Sequence, residues 1–491
     1  MAAVQVPART AWGGLLILPA CVMAGVVGAL IAWSSDLGLV LAAAVFMAGG
    51  LAMRAWMWAV ITVLFALLSP AIANLDLGPT VVKFFDIPFA WAGLASALLR
   101  THVRRAENET GRAIGRVVVG LLGLLALAVG LSFAFHPAEF LRPLVYFLLI
   151  GQPFALVAAL LLDPPAPRAR RYVEHVFLGL ALVQVPVALI QATRLGLADH
   201  VQGTLYGKGA GSHLLGGVAI VAGTWILTRE GTRREVKFAA IALFALPLLA
   251  DAKQAVLAAA AIGLLAASRR RAIPAGVIVA GLIGASLLLY PAGRIAVAFV
   301  ERARAGQWGK IAAAEMVMTA LRRSPADMAL GLGPATTVSR AAFMTTPLLL
   351  HEDSPLRALG LEPADFAIAA EAEAVRLSGG QTSFNSAQSS ALGVLGDTGI
   401  AGLGVYLALI AILIRACLRN GTAEGRAIAG MWCMWLLLGV VFDWWEEPPF
   451  TIPIALLTGL HLSRDGGHQP VAPELSMVDS GSLRRAALAS E

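Results

Sequence analysis

The stretch Thr382–Leu413, TSFNSAQSSALGVLGDTGIAGLGVYLALIAIL, decides how this chain is read. It ends in an apolar run, 391–414, of the length that crosses a bilayer, which takes about 20 residues. It begins differently, with the small hydrogen-bonding residues Thr382, Ser383, Asn385, Ser386, Gln388, Ser389 and Ser390. One carboxylate, Asp397, lies inside the run, and glycines recur at 393, 396, 399, 402 and 404. Small residues at such spacing let helix backbones approach closely in a membrane. Two readings of the polar start stand side by side. Either it lines the roof of a cavity at the membrane surface, or it is a well-capped helix start above a small-residue packing face.

The rest of the chain repeats the apolar theme. Of 491 residues, 58% are hydrophobic and only 14% charged, against roughly 25% charged in soluble domains. Mean hydropathy is +0.77. About fourteen runs are candidate spans: 12–33, 37–53, 55–74, 81–99, 117–135, 143–162, 172–193, 213–228, 238–251, 254–267, 273–290, 391–414, 427–443 and 450–462. The expected fold class is all-α, a polytopic transmembrane bundle of about 12–14 spans. The first run follows Arg9 and carries no cleavage pattern, so it reads as a retained helix. Cys21, Cys417 and Cys433 lie far apart and give neither a disulfide framework nor zinc spacing.

Basic residues orient the bundle. With the N-terminus inside, Arg9, alternate turns and the tail carry 23 of the 37 Lys and Arg. Short turns on the other face hold five: Lys83, Arg142, Arg194, Lys208 and Lys253. Such a bias is the positive-inside pattern, so the +7 charge is topological and does not suggest nucleic acid. The remaining nine cations fall in one long outer segment, 291–390, within a transmembrane domain of 1–463. The tail, 464–491, is polar and rich in Gly, Pro and Ser, the composition of a disordered segment.

The outer segment is expected to hold short helices. WGKIAAAEMVMTALRRSPADM (308–328) spaces Ile311, Met316, Met318 and Leu321 among alanines, as in a helix lying against a membrane, with Pro325 as its stop. GLGP (331–334) reads as a tight turn, and PADFAIAAEAEAVRL (363–377) as a second helix. Between them HEDSPLR (351–357) gathers His351, Glu352, Asp353 and Arg357. Arg294, Arg302, Arg304, Lys310, Arg322 and Arg323, with Lys253, are cations on the face that disfavours them. One reason is an anionic ligand such as phosphate, which suits the arginine fork. The other is pairing with Glu301, Glu315, Asp327, Glu352 and Asp353, or with lipid headgroups. For Lys253, a pair with neighbouring Asp251 competes.

Four stretches, in this order, resemble the O-antigen ligase and polysaccharide polymerase superfamily of membrane glycosyltransferases. VQGTLYGKGAGSHLLGGVAI (201–220) is similar to its Gly-rich outer loop entering a span. ADAKQAVLAAAAIGLL (250–265) is similar to its short hairpin, with Lys253 where Arg is usual. RARAGQWGKIAAAEMVMTALRRSPADMALGLGP (302–334) keeps Arg304, Trp308, Pro325, Gly331 and Gly333 in step. FNSAQSSALGVLGDTGIAGL (384–403) keeps Asn385, Gly399 and Gly402, with Asp397 in place of Glu. Phe384 stands where many ligases have a histidine.

The resemblance implies a glycan moved from a polyprenyl diphosphate to an acceptor glycan at the outer face of a bacterial inner membrane. Both termini would be cytoplasmic, membrane lipids would surround the protein, and no cofactor or metal would be needed. Phe384 favours a polymerase of lipid-linked repeat units for a cell-surface or exopolysaccharide over a ligase acting on lipid A–core. A phenyl ring cannot take a proton, which leaves His351 and Asp353 as candidate catalytic groups, with His213 a further possibility. The implied substrate-binding set is Lys253, Arg302, Arg304, Trp308, His213, Asn385 and Gln388. The serines beside Asn385 and Gln388 would then hydrogen-bond sugar hydroxyls. A secondary transporter is the alternative from another class; it requires midplane charge and paired broken helices.

Overall fold

A computed structural model describes residues 46–74, 84–100, 108–196, 201–205, 211–229, 234–250, 308–344, 361–378, 386–419 and 421–464, with Ala44, Glu301, Arg304 and Ala305 besides. Every regular element among these is helical, as the apolar periodicity predicts. The expected spans at 12–33, 254–267 and 273–290, about half of 37–53, and the tail beyond Arg464 lie outside the described residues.

In chain order the bundle comprises α1 (Ala55–Asn74), α2 (Asp86–Arg100), α3 (Glu109–Phe135), α4 (Leu141–Leu162), α5 (Pro167–Leu195), α6 (Gly211–Thr228) and α7 (Arg234–Leu249). Four short helices follow: α8 (Gly309–Leu321), α9 (Pro325–Leu330), α10 (Arg340–Phe343) and α11 (Asp365–Ser378). The chain then returns to the bundle as α12 (Ser390–Arg419), α13 (Ala423–Val441) and α14 (Pro448–Leu462). Helices α3, α4, α5, α6, α12 and α13 are each long and apolar enough to cross a membrane. Helices α7 and α14 and most of α1 are shorter apolar segments.

α4 and α14 form the middle of the bundle. α4 packs on α2, α3 and α14, and α14 packs in turn on α1 and α6. Every residue of α14 is buried, as is every residue of α4 from Leu149 onward. The outer helices do the opposite. α3 exposes Leu124, Leu127 and Leu131, and α5 exposes Val183, Leu189 and Ile190. A water-facing surface rarely carries such contiguous apolar patches, whereas lipid accepts them. The chain is thus a multi-pass membrane bundle.

The two ends of the bundle differ. At one, loop cations meet buried carboxylates: Arg54 with Asp163 at 2.6 Å, Arg229 with Glu174 at 2.7 Å, and Arg464 with Glu424 at 2.6 Å. The other end carries α8–α11. There Arg142 donates to the carbonyls of Ala335 (3.3 Å) and Glu362 (2.9 Å), and His136 meets Asp327 at 3.1 Å. The sequence alternation of basic turns therefore separates two real faces.

The small helices form a second apolar cluster of their own. Ala313, Val317 and Leu321 of α8 face Ala367, Ala370 and Ala374 of α11, together with Ala387. Alanines on both sides let the two helices lie close. One expectation is corrected here. Pro325 does not stop the helix that starts at 309; that helix ends at Leu321, and Pro325 opens α9. Ser324 caps α9 by accepting from the Asp327 N–H at 3.0 Å, and proline at the first helical position loses no hydrogen bond.

Candidate functional site at the start of α12

The construction of α12 explains its polar start. The helix is broken at Gly399, whose φ of 65° and ψ of −167° are non-helical. A break inside a span frees backbone carbonyls, and these need donors because lipid supplies none. Three such donors are present. Leu332 N–H reaches the Gly396 carbonyl at 2.7 Å, Ser132 Oγ of α3 donates to the Asp397 carbonyl at 2.7 Å, and Thr398 Oγ1 donates to that of Val394 at 2.7 Å.

Asp397 then fastens the extramembrane layer to the broken helix. Its Oδ1 accepts from Thr336 N–H (3.1 Å), Thr337 N–H (2.7 Å) and Thr337 Oγ1 (2.7 Å), and its Oδ2 from Ser339 Oγ (2.6 Å). Gly331, at φ 85°, lies so close that a Cβ there would collide with the Asp397 backbone, and a Cβ on Gly399 would collide with the Ala329 carbonyl. The GLGP turn and the GDTG turn are therefore one structural unit, although about 60 residues separate them, as the span of the Asp397–Thr337 bond records.

The serines are engaged in the same way. Ser386 Oγ donates to Glu371 (3.0 Å), Ser389 Oγ to the Val440 carbonyl (2.9 Å), and Ser390 Oγ accepts from Trp445 N–H (3.1 Å). These contacts favour the second reading of the polar start: a capped helix end that anchors α11, the end of α13 and the turn after it.

Beside this anchor the structure gathers charge. Lys310 of α8 is buried, donates to the Gln388 carbonyl at 2.5 Å and sits 5.5 Å from the centre of the Phe442 ring. Arg340 of α10 is paired with Glu447, and its guanidinium lies 3.8 Å from Asp443 Oδ2. Asp443, Glu446 and Glu447 bracket the 3-10 turn Trp444–Glu446 between α13 and α14. Glu446 is buried; one oxygen accepts from the Ala341 N–H at 3.1 Å, and the other has no hydrogen-bond partner among the described residues.

Burial governs the titration of this cluster. Loss of water lowers the Lys310 ammonium to about 8, partly opposed by the charges of Asp443 and Glu371. Burial also lowers Arg340 from its ordinary value, with Asp443 opposing. Glu446 is raised to about 8, first by burial and then by the neighbouring charges of Asp443 and Asp397. Two cations and three carboxylates thus share one partly enclosed position. It can hold an anion through Lys310 and Arg340 and can accept a proton on a carboxylate.

Of the residues proposed from sequence, Gln388 joins this cluster through its carbonyl, and half-buried Trp308 stands two residues before Lys310 at the start of α8. Arg304 is exposed, and His213 is half-buried in the first turn of α6. His351, Asp353, Lys253, Arg302 and Asn385, as well as Phe384, lie outside the described residues. Arg322 and Arg323 are exposed, and Asp327, expected to pair with loop cations, meets His136 instead. Sequence reasoning counted Lys310 among the outer cations but passed over Arg340, Asp443, Glu446 and Glu447. The available signal was DWWEEPP (443–449), a run of carboxylates and tryptophans between two apolar spans. The sequence matches no protein-family model, and no curated protein matches it.

Proposed function

We propose that this protein is an inner-membrane polymerase that joins polyprenyl-diphosphate-linked glycan repeat units for a cell-surface polysaccharide. The observation that carries this reading is the position of Lys310 and Arg340 at the outer end of the bundle, held beside Asp443. A lipid-linked donor keeps its diphosphate at the membrane surface, where two cations would neutralise it as it leaves. Cations of this kind are strongest where water is sparse, and both are largely buried. The four-motif resemblance points to the same chemistry. A transporter is less well supported. The carboxylate inside the span, Asp397, is occupied by four donors of its own chain and offers no free ion site.

Purified full-length protein, reconstituted with a synthetic polyprenyl-diphosphate repeat unit, is expected to lengthen the glycan with no other acceptor present. Lys310→Met and Arg340→Gln should each slow lengthening by roughly 10- to 100-fold, the loss of one charge-assisted contact of about 1.5–3 kcal/mol. Transfer that needs added lipid A–core would mean a ligase, and no transfer with either acceptor would overturn the reading.

A further inference from the structure

The acidic turn between α13 and α14 contains three carboxylates in three different settings. Glu447 is committed to the Arg340 guanidinium. Glu446 is sealed in the interior, with one oxygen on the Ala341 N–H. Asp443 differs from both. Its side chain is 16% exposed and stands 3.8 Å from Arg340, beyond hydrogen-bonding range, and its carboxylate accepts no hydrogen bond from the described residues; only its backbone carbonyl does, from the Glu446 N–H. Its carboxylate is therefore partly exposed, with lone pairs available.

We propose that Asp443 is the catalytic base that takes the proton from the acceptor hydroxyl during glycan transfer. This assignment rests on the polymerase reading of the same site. The balance is simple. The acceptor O–H bond breaks and its proton passes to the Asp443 carboxylate. The acceptor oxygen bonds the anomeric carbon, and the bond from that carbon to the phosphate oxygen breaks. The electron pair of that bond leaves with the diphosphate.

The surroundings of Asp443 are charged. Four charged groups bear on Asp443: Lys310 from α8, Arg340 from α10, and Glu446 and Glu447 from its own turn. Arg340 and Lys310 place positive charge beside the carboxylate. A bound diphosphate would take up those positive charges. The carbonyl of Phe442, the residue before it, accepts from the Ser390 N–H at 2.9 Å, and the Trp445 N–H donates to Ser390 Oγ at 3.1 Å. The turn is therefore tied to the anchored start of α12, and the base cannot drift from the cations.

The test compares Asp443→Asn and Asp443→Glu with wild-type protein in the reconstituted lengthening assay across pH. The asparagine variant keeps size and polarity, so its melting temperature should stay within a few degrees of wild type. Its kcat should fall ~10²- to 10⁴-fold, the usual contribution of a general base, with KM changed less than a few fold. The glutamate variant should recover part of the rate, and the acid limb of the wild-type kcat profile should vanish in the asparagine variant. An asparagine variant that lengthens glycan within tenfold of wild type, or that keeps the acid limb, overturns the assignment while leaving the polymerase reading standing. If wild-type protein lengthens nothing, the functional reading falls and Asp443 with it.

Discussion

Replacing Asp397 tests whether the break in α12 is held by one side chain. Asp397→Ala removes the acceptor for two backbone N–H groups and two hydroxyls. The hydroxyls can rotate to other acceptors, but the N–H groups of Thr336 and Thr337 cannot, and Thr337 is completely buried. A buried donor left without a partner costs about 1–3 kcal/mol. Counting Thr337 near the top of that range, half-buried Thr336 lower, and a small cavity, the expected cost is about 3–5 kcal/mol. Asp397→Asn keeps one oxygen for the three donors on Oδ1 and disturbs only the Ser339 contact, so about 1–2 kcal/mol is expected. The assay is thermal denaturation of detergent-purified protein, followed by the fraction that stays monodisperse. At roughly 1–2 °C per kcal/mol, below the range for smaller domains, alanine should lower the midpoint by about 3–10 °C and asparagine by about 1–4 °C. An alanine variant that melts within a degree of wild type would refute the anchor. Equal damage from both would show that the charge, not the acceptor geometry, does the holding.

Other outcomes follow from the same structure. Alkaline phosphatase fused at Gly360 should be active and fused at Arg168 inactive; the reverse pattern would invert the bundle and the proposed site with it. Glu446 carries a carboxyl raised to about 8 in the folded protein, well above its unfolded value, so its contribution is complete below about pH 4.5 and is lost as pH climbs through about 8. The melting temperature should therefore fall between pH 5.5 and 8.5, and Glu446→Gln should flatten that slope; an unchanged slope would contradict the burial argument. Arg464→Ala removes a bridge between Glu174 and Glu424, but Arg229 and His461 still hold one carboxylate each. With Arg464 about one-third exposed, a loss of only about 1–2 kcal/mol is expected by the same denaturation assay.

How much of this was legible from sequence follows from what each signal depends on. A span such as α6 is visible because crossing a bilayer is a property of about 20 consecutive residues, whatever they touch. The two faces are visible because arginine placement obeys the membrane, not the tertiary fold. The outer helices were legible in kind but not in detail. Alanine-rich 309–321 reads as a helix, yet whether Pro325 ends it or opens the next depends on the Ser324 cap, a local contact with two possible outcomes.

The charge cluster escaped the sequence reading for a physical reason. Acidic residues contribute little to topology, so a turn holding Asp443, Glu446 and Glu447 leaves the basic-residue count untouched. Arg340 was one of nine outer cations with nothing local to single it out. Its partners lie about 100 residues away, at the far end of α13, and only the fold brings them together. The polar start of α12 misleads for the converse reason. Serines beside a membrane surface look available to a ligand, but a broken span needs donors and acceptors for its own backbone first. Ser389, Ser390 and Asp397 meet that need. What their rigidity provides is a fixed platform: with α12, the GLGP turn and the acidic turn locked to one another, Lys310 and Arg340 are both held near Asp443 by parts of the chain that cannot move independently.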